Sequence, residues 1–426
     1  MEAVLPSAYY GLMSGGPHLI FDKSALESFS LDETNWLDNF FYTVITPLFY
    51  AETLADLEKE VGKGRTPEHV VGTLAIRTPD LQSTACPHHQ KLLSGVLYGN
   101  DLPLDGRIPR DQGHVVELDG QKGIFYSKSH EEEALDRWYK GEFLDVERQF
   151  AKAWRRQLTN LDHDSEYAFF QKWFLMGKPK TLPEVKTLAD AYIDASPQDG
   201  ALKFGLQLVG VPSGAHAEIV ARWKGGGSPS VRQFAPYFRH LYGVDLFFNL
   251  AIAADLISRH RPKGKADNKV DIAYLYYLPF CHVFVSRDNL HKRVVPLFLR
   301  NDQTFVDAAD LKTDLQKLDA HYSALPDDVK SSGFYKFAQY PPLDESFLVT
   351  RLWDKRGRSW REQATKPEPL DSEKDKDIIE HLSRVRNAVK SSDPNARLSI
   401  EDTQFVQISR SVLRSKGKWK RFPDDV

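Results

Sequence analysis

Short apolar runs recur along the chain and stop at polar or acidic positions. Leu19, Ile20 and Phe21 precede Asp22; Val283, Phe284 and Val285 precede Ser286 and Asp288; residues 304–306 form another such run. Runs of this length, rich in β-branched and aromatic side chains, predict buried strands. Residues 43–45 are β-branched and lie just before Pro47, which predicts a further strand ending there. Beyond the proline, Leu48, Ala51, Leu54, Ala55 and Leu57 follow helical spacing, with Glu52 near the helix start. The chain therefore opens strand, helix, strand, helix.

From about residue 61 glycine and proline punctuate short apolar pieces, and helical spacing takes over after about residue 130. Leu135, Trp138, Phe143, Val146, Phe150 and Trp154 fit one helix, acidic at its start and basic at its end, as the helix dipole favours. The GGGSPS run at 225–230 reads as a flexible joint, and the apolar stretch that follows reads as a buried helix. A polar loop with Lys263, Lys265 and Lys269 then leads to Asp271, after which helix, strand, helix, strand and helix follow. Past about residue 331 the chain is polar, with helix-like stretches at 374–390 and 400–416. The expected architecture is α/β: a mainly parallel sheet flanked by helices, built from residues 17–60 and 235–330. A largely helical insertion at 61–234 interrupts it, and a helical C-terminal extension at 331–426 completes it.

Composition narrows the function. With 426 residues, 41% of them hydrophobic, the chain can build a substantial core, and its net charge of −3 excludes binding nucleic acid over the whole surface. Phosphate contacts must be local. Two cysteines, Cys86 and Cys281, make a disulfide framework unlikely to be the organising principle and suit a reducing compartment. The start of the sequence lacks a basic segment followed by a long apolar one, and no run is long enough to span a bilayer, so a cytoplasmic location without membrane attachment is expected.

Carboxylates at the ends of parallel strands can converge in the crevice of an open α/β sheet, and several together can hold the hard cations Mg²⁺ or Mn²⁺. Asp22, followed by Ser24, Ala25 and Leu26, then Glu52 in YAETLADL, then Asp271 at a helix start, then Ser286 and Asp288 after a strand, stand in this order. In that order and setting they resemble the PIN domain family of metal-dependent ribonucleases. The resemblance covers about residues 17–60 and 235–312, and more than two hundred positions separate Glu52 from Asp271, far more than in compact family members.

The resemblance implies that Asp22, Glu52, Asp271 and Asp288 hold Mg²⁺ or Mn²⁺, with Ser286 and Asn289 orienting waters or ligand carboxylates. It implies endonucleolytic hydrolysis of RNA and leaves room for a protein regulator. A structure-directed DNA nuclease and a noncatalytic interaction protein are the alternatives. Basic residues flanking the acidic positions, namely Lys263, Lys265, Lys269, Arg287, Lys292 and Arg293, are candidate phosphate contacts, with His291 among them. RLWDKRGRSWREQ interleaves Trp353 and Trp360 with basic residues, which suits base stacking, and Lys416, Lys418, Lys420 and Arg421 add charge near the end. Cys86 with His88 and His89, and Cys281 with His282, fit no closed zinc spacing. Gly225 to Gly227 lack the Lys and Ser or Thr of a phosphate loop.

Overall fold

The computed structural model describes residues 16–147, 149, 169–172, 178–258, 268–365, 384, 403–408 and 411–422, apart from 111, 112, 119, 196 and 197. Its strands are β1 (His18–Phe21), β2 (Tyr42–Ile45), β3 (Ser83–Ala85), β4 (Gly113–Leu118), β5 (Gln121–Tyr126), β6 (Val283–Ser286), β7 (Thr304–Asp307), β8 (Phe405–Ile408), β9 (Ser415–Lys416) and β10 (Trp419–Lys420). Five of them form an all-parallel sheet in the order β3-β2-β1-β6-β7. From β1 the chain builds outward through β2 and β3, then returns to lay β6 on the other side of β1. The crevice between the carboxyl ends of β1 and β6 is thus the switch point at which open α/β sheets bind ligands.

Side chains alternate across each strand, so this sheet divides the core in two. Leu19, Phe21, Ile45, Val283, Val285 and Val306 face one side, where Leu37, Phe49, Leu54, Leu315 and Leu352 from flanking helices cover them. Ile20, Val44 and Phe284 face the other, against Leu246 and Leu250 of helix Pro236–Ala253, Tyr274 of the 3₁₀ helix Tyr274–Phe280, and Val185 of helix Leu182–Ala195. Burial on both faces is why these strands read as continuous apolar runs. Within the expected insertion, helices Leu182–Ala195, Gln198–Leu208 and Ser213–Gly225 follow one another, as its helical spacing predicts.

Several local expectations are corrected. Strand β3 and helix Pro67–Arg77 lie within 61–234 yet belong with the sheet; β3 is a short edge strand whose Ser83 and Thr84 carry no apolar signal. The long helix expected from Leu135 ends at Tyr139, where Gly141 has φ of 74° and Glu147 turns back to Arg137 at 2.8 Å. Its later part, including Phe150 and Trp154, lies outside the described residues. The GGGSPS run is tied down: Ser228 N–H donates to the Trp223 carbonyl at 3.0 Å, and Trp223 Nε1 donates to the Pro229 carbonyl at 2.7 Å.

In place of a helix at 400–416, β8 pairs with the β4–β5 hairpin, and β9 pairs with β10. The 374–390 helix lies outside the described residues apart from Arg384. Trp353 and Trp360, read as stacking surfaces, are 4% and 6% exposed and pack against each other at 5.5 Å. Trp353 Nε1 donates to the Phe40 carbonyl at 2.8 Å, which locks that ring into the core. The charged C-terminal stretch is likewise partly internal: Arg421 is fully buried against Asp38 and Asp80, and Lys416 donates to the Thr78 carbonyl at 2.9 Å. Among the described residues no helix is long and apolar enough to cross a membrane.

Candidate active site

Strand register brings the polar ends together. Phe21 pairs with Val285, so the next residues outward, Asp22 and Ser286, are neighbours at the switch point; Ser286 in turn pairs with Asp307 at the end of β7. Asp22 caps helix Lys23–Ser28, its carboxylate accepting from Ala25 N–H at 2.8 Å and from the Ser24 hydroxyl at 3.0 Å. The Ser286 hydroxyl adds a 2.6 Å bond to Asp22 Oδ2.

The hydrogen bonds around Ser286 fix the charge on His291. Ser286 Oγ has one proton, directed to the Asp22 carboxylate, and it accepts from Asp288 N–H at 2.9 Å. His291 Nδ1 lies 2.7 Å from the same oxygen, and Nε2 lies 2.8 Å from the Asp271 carbonyl, which can only accept. Both ring nitrogens therefore donate, and the ring is an imidazolium. Burial opposes that charge, but Asp22 and then Asp271 outweigh it and raise the His291 pKa to about 9. Burial would likewise raise Asp22, yet the bonds and charge from His291, with Ser286 and Ala25, hold its carboxyl below the usual range.

Glu52, on helix Pro47–Val61, reaches the same crevice from the side. Tyr274 Oη donates to its carboxylate at 2.9 Å. Its carboxyl sits deep although the side chain keeps partial solvent contact. Burial pushes its pKa up to about 8; Lys23 counters this, while Asp271 and Asp22 push in the same direction. Asp271, in the first turn of helix Asn268–Ala273 and 8% exposed, thus shares one electrostatic neighbourhood with Glu52, Asp22 and His291. Asp22 and Asp271 both act electrostatically on Glu52.

Asp288 sits differently. It caps helix Asn289–Val294, its Oδ1 accepting from Leu290 N–H at 2.6 Å, and only its backbone reaches Ser286. Asn289 is exposed in the first turn of that helix. Of the candidate phosphate contacts, Lys263 and Lys265 lie outside the described residues, Lys269 is half-buried, and Arg287 is exposed beside the crevice. Lys292 forms an ion pair with Asp307, and Arg293 donates to the Leu256 carbonyl at 3.0 Å.

Sequence reasoning placed His291 on the rim and passed over Lys23, Tyr274 and Asp307. Lys23 is 6% exposed and bonds Asp56 at 2.6 Å. Burial disfavours its charge, but Asp56, Glu27 and Glu52 prevail and raise its pKa. Asp307 was signalled by the same pattern as Asp22, an apolar strand followed by an acidic cap; it accepts from Ala309 N–H at 2.9 Å. Among the described residues no group of three or more His, Cys, Asp and Glu side chains is arranged to hold a metal ion. No protein-family model matches the chain, and no significant match was found to a curated protein or to a solved structure.

Proposed function

We propose that the chain is a PIN-like endoribonuclease that uses Mg²⁺ or Mn²⁺ held by Asp22, Glu52 and Asp271. The observation that carries this reading is that Asp22, at the switch point of a parallel sheet, and Asp271 both bear electrostatically on the buried Glu52 carboxyl. The donor set suits a hard cation, being all oxygen. Burial chiefly, then Asp271 and Asp22 against Lys23, keeps a proton on Glu52 up to about pH 8, and a divalent ion bound there would favour the ionised carboxylate.

A cation bound there would polarise the phosphodiester and lower the pKa of an attacking water. The protein's own contribution is positional. Ser286, Ser24 and Ala25 fix the Asp22 carboxylate, so little reorganisation is needed when a ligand arrives. Glu52 would give up its proton to solvent if it held a cation. Lys269 and Arg287 at the crevice edge supply charge for a phosphate backbone. Asp288 ranks behind the other three because the contact seen for its side chain is the cap of helix Asn289–Val294, not one to their carboxylates.

One observation favours a noncatalytic role: His291 and Lys23 already bring two positive charges to the cluster. Incubating the protein with matched single-stranded RNA and DNA, in Mg²⁺ and in EDTA, separates the readings. RNA cleavage that requires the metal supports the endoribonuclease, DNA cleavage alone supports the alternative nuclease, and no cleavage of either supports the noncatalytic role.

A further inference from the structure

Past the carboxyl end of β3 the chain turns through Cys86 and Pro87 into His88 and His89, at the same edge of the parallel sheet as Asp22. Two strand spacings, about 10 Å, separate β3 from β1. The 3₁₀ helix Tyr274–Phe280 supplies a second connection. His89 N–H donates to the Tyr277 hydroxyl at 3.0 Å, Tyr274 donates to Glu52 at 2.9 Å, and these two tyrosines are one turn apart on that helix. Lys269, two residues before Asp271, acts electrostatically on the His89 ring. The two histidines therefore border the acidic crevice.

Their rings stack, 4.2 Å apart and tilted by 32°, and Tyr276 backs His89 at 4.8 Å. His88 Nδ1 accepts from Gln90 N–H at 3.2 Å and so caps helix His89–Leu97. That bond requires a lone pair on Nδ1, so the ring is neutral, with its proton on Nε2. Burial lowers the pKa of His88 against the pull of Glu131, and burial, followed by His88 and Lys269, brings that of His89 to about 3. The result is an uncharged column of three rings that ends in His88, an exposed residue. Among the described residues no other ring covers its outer face. Capping alone needs only a short acceptor such as Asn or Ser, which leaves an exposed ring on top of a stack without a use.

We propose that the outer face of His88 is a base-stacking subsite for the single-stranded RNA cleaved at the crevice, an inference that rests on the nuclease reading. Stacking on an aromatic face accepts any base, and a ring already fixed by its cap and its neighbours loses little freedom when a base arrives. Lys269, whose charge reaches His89, would meet the backbone phosphate between that base and the crevice. A base held there sets the position of the strand against Asp22, Glu52 and Asp271 without reading its sequence.

The test is binding of a short labelled single-stranded RNA to the full-length protein in EDTA, read by fluorescence anisotropy, for the wild type, His88→Asn and His88→Phe. Asn keeps a capping acceptor and loses the ring, whereas Phe keeps a ring and loses the acceptor. Circular dichroism verifies that both variants fold. Affinity should fall about fivefold or more in His88→Asn, the scale of one lost base stack, and stay within about twofold of the wild type in His88→Phe. A second arm follows cleavage in Mg²⁺, where His88→Asn should raise KM and retain kcat. RNA bound equally by the wild type and His88→Asn, lost equally by both variants, or not bound by the wild type overturns the subsite. Ring-dependent binding without Mg²⁺-dependent cleavage leaves the subsite standing and overturns the nuclease reading, and cleavage with KM unchanged in His88→Asn does the reverse.

Discussion

Ser286 Oγ lies 2.6 Å from Asp22 Oδ2 across 264 positions of chain, joining the ends of the two strands that flank the switch point. The same oxygen accepts from Asp288 N–H and from the His291 ring. Ser286→Ala should therefore take an acceptor from the half-buried Asp288 N–H and from the buried His291 ring, and cost about 1–3 kcal/mol. Ser286→Thr, which keeps the hydroxyl, should recover part of the loss. Denaturant midpoints measure both; an alanine variant as stable as the wild type would show that the hydroxyl does not organise the site.

His291 makes stability depend on pH in a defined direction. Its pKa is raised from 6.5 to about 9 in the fold, so its contribution is complete below pH 6.5 and is lost as pH rises through 9. The whole effect is on the order of 3 kcal/mol. His291→Gln should be destabilised near pH 6 and should show a flatter profile from 6.5 to 9. Urea unfolding at half-unit pH intervals checks this, and parallel profiles for the two proteins would argue against a charged ring.

Glu52 behaves alike in sign and for the opposite reason, because its folded state disfavours the charged form. Its pKa rises from 4.5 to about 8, so stability falls as pH climbs through that window. Glu52→Gln removes this penalty, and without metal it should be more stable than the wild type at pH 8.5 by on the order of 1–3 kcal/mol. It should also lose metal-induced stabilisation and activity. In the wild type, millimolar Mg²⁺ or Mn²⁺ should raise the melting temperature more at pH 8.5 than at pH 6, since protons compete for the same carboxylate. A pH-independent response would point away from Glu52 as a ligand.

The C-terminal segment should prove integral to the sheet unit. Arg421 and Asp38 are both fully buried in their ion pair at 2.9 Å, and Arg421 also bonds Asp80 at 2.6 Å. Arg421→Met takes the guanidinium from two carboxylates, leaving Asp38 its backbone N–H donors and Asp80 the Leu413 N–H and Lys416, and should cost about 3 kcal/mol. Thermal unfolding reads the loss directly; an unchanged midpoint would mean the segment docks without contributing.

Much of this fold is legible in the sequence because burial on both sheet faces leaves uninterrupted apolar runs, as at Leu19 to Phe21 and Val283 to Val285. β3 escapes because Ser83 and Thr84 satisfy an edge strand without apolar character. Asp22, Glu52 and Asp271 are marked by position, at strand ends and helix starts. His291 is not, because one imidazole in a run of basic residues looks the same whether it points outward or into the crevice. Trp353 and Trp360 mislead for the converse reason: their charged neighbours suggest a surface, while the two successive helices that carry them turn both rings inward against each other. Asp22 and Asp288 each cap the helix that follows, and what separates them is the Ser286 hydroxyl, which donates to Asp22, a contact that spans 264 positions and leaves no mark in the sequence.

The most direct test is the rate of Mg²⁺-dependent cleavage of single-stranded RNA by the wild type, Asp22→Asn, Asp271→Asn and Asp288→Asn, with folding verified by melting. The expected result is a fall of at least about a hundredfold for Asp22→Asn and Asp271→Asn, the scale on which loss of a transition-state-stabilising group acts, with a smaller fall for Asp288→Asn. Cleavage undiminished in folded Asp22→Asn and Asp271→Asn, or no metal-dependent cleavage by the wild type, would contradict a shared metal site at the β1–β6 crevice.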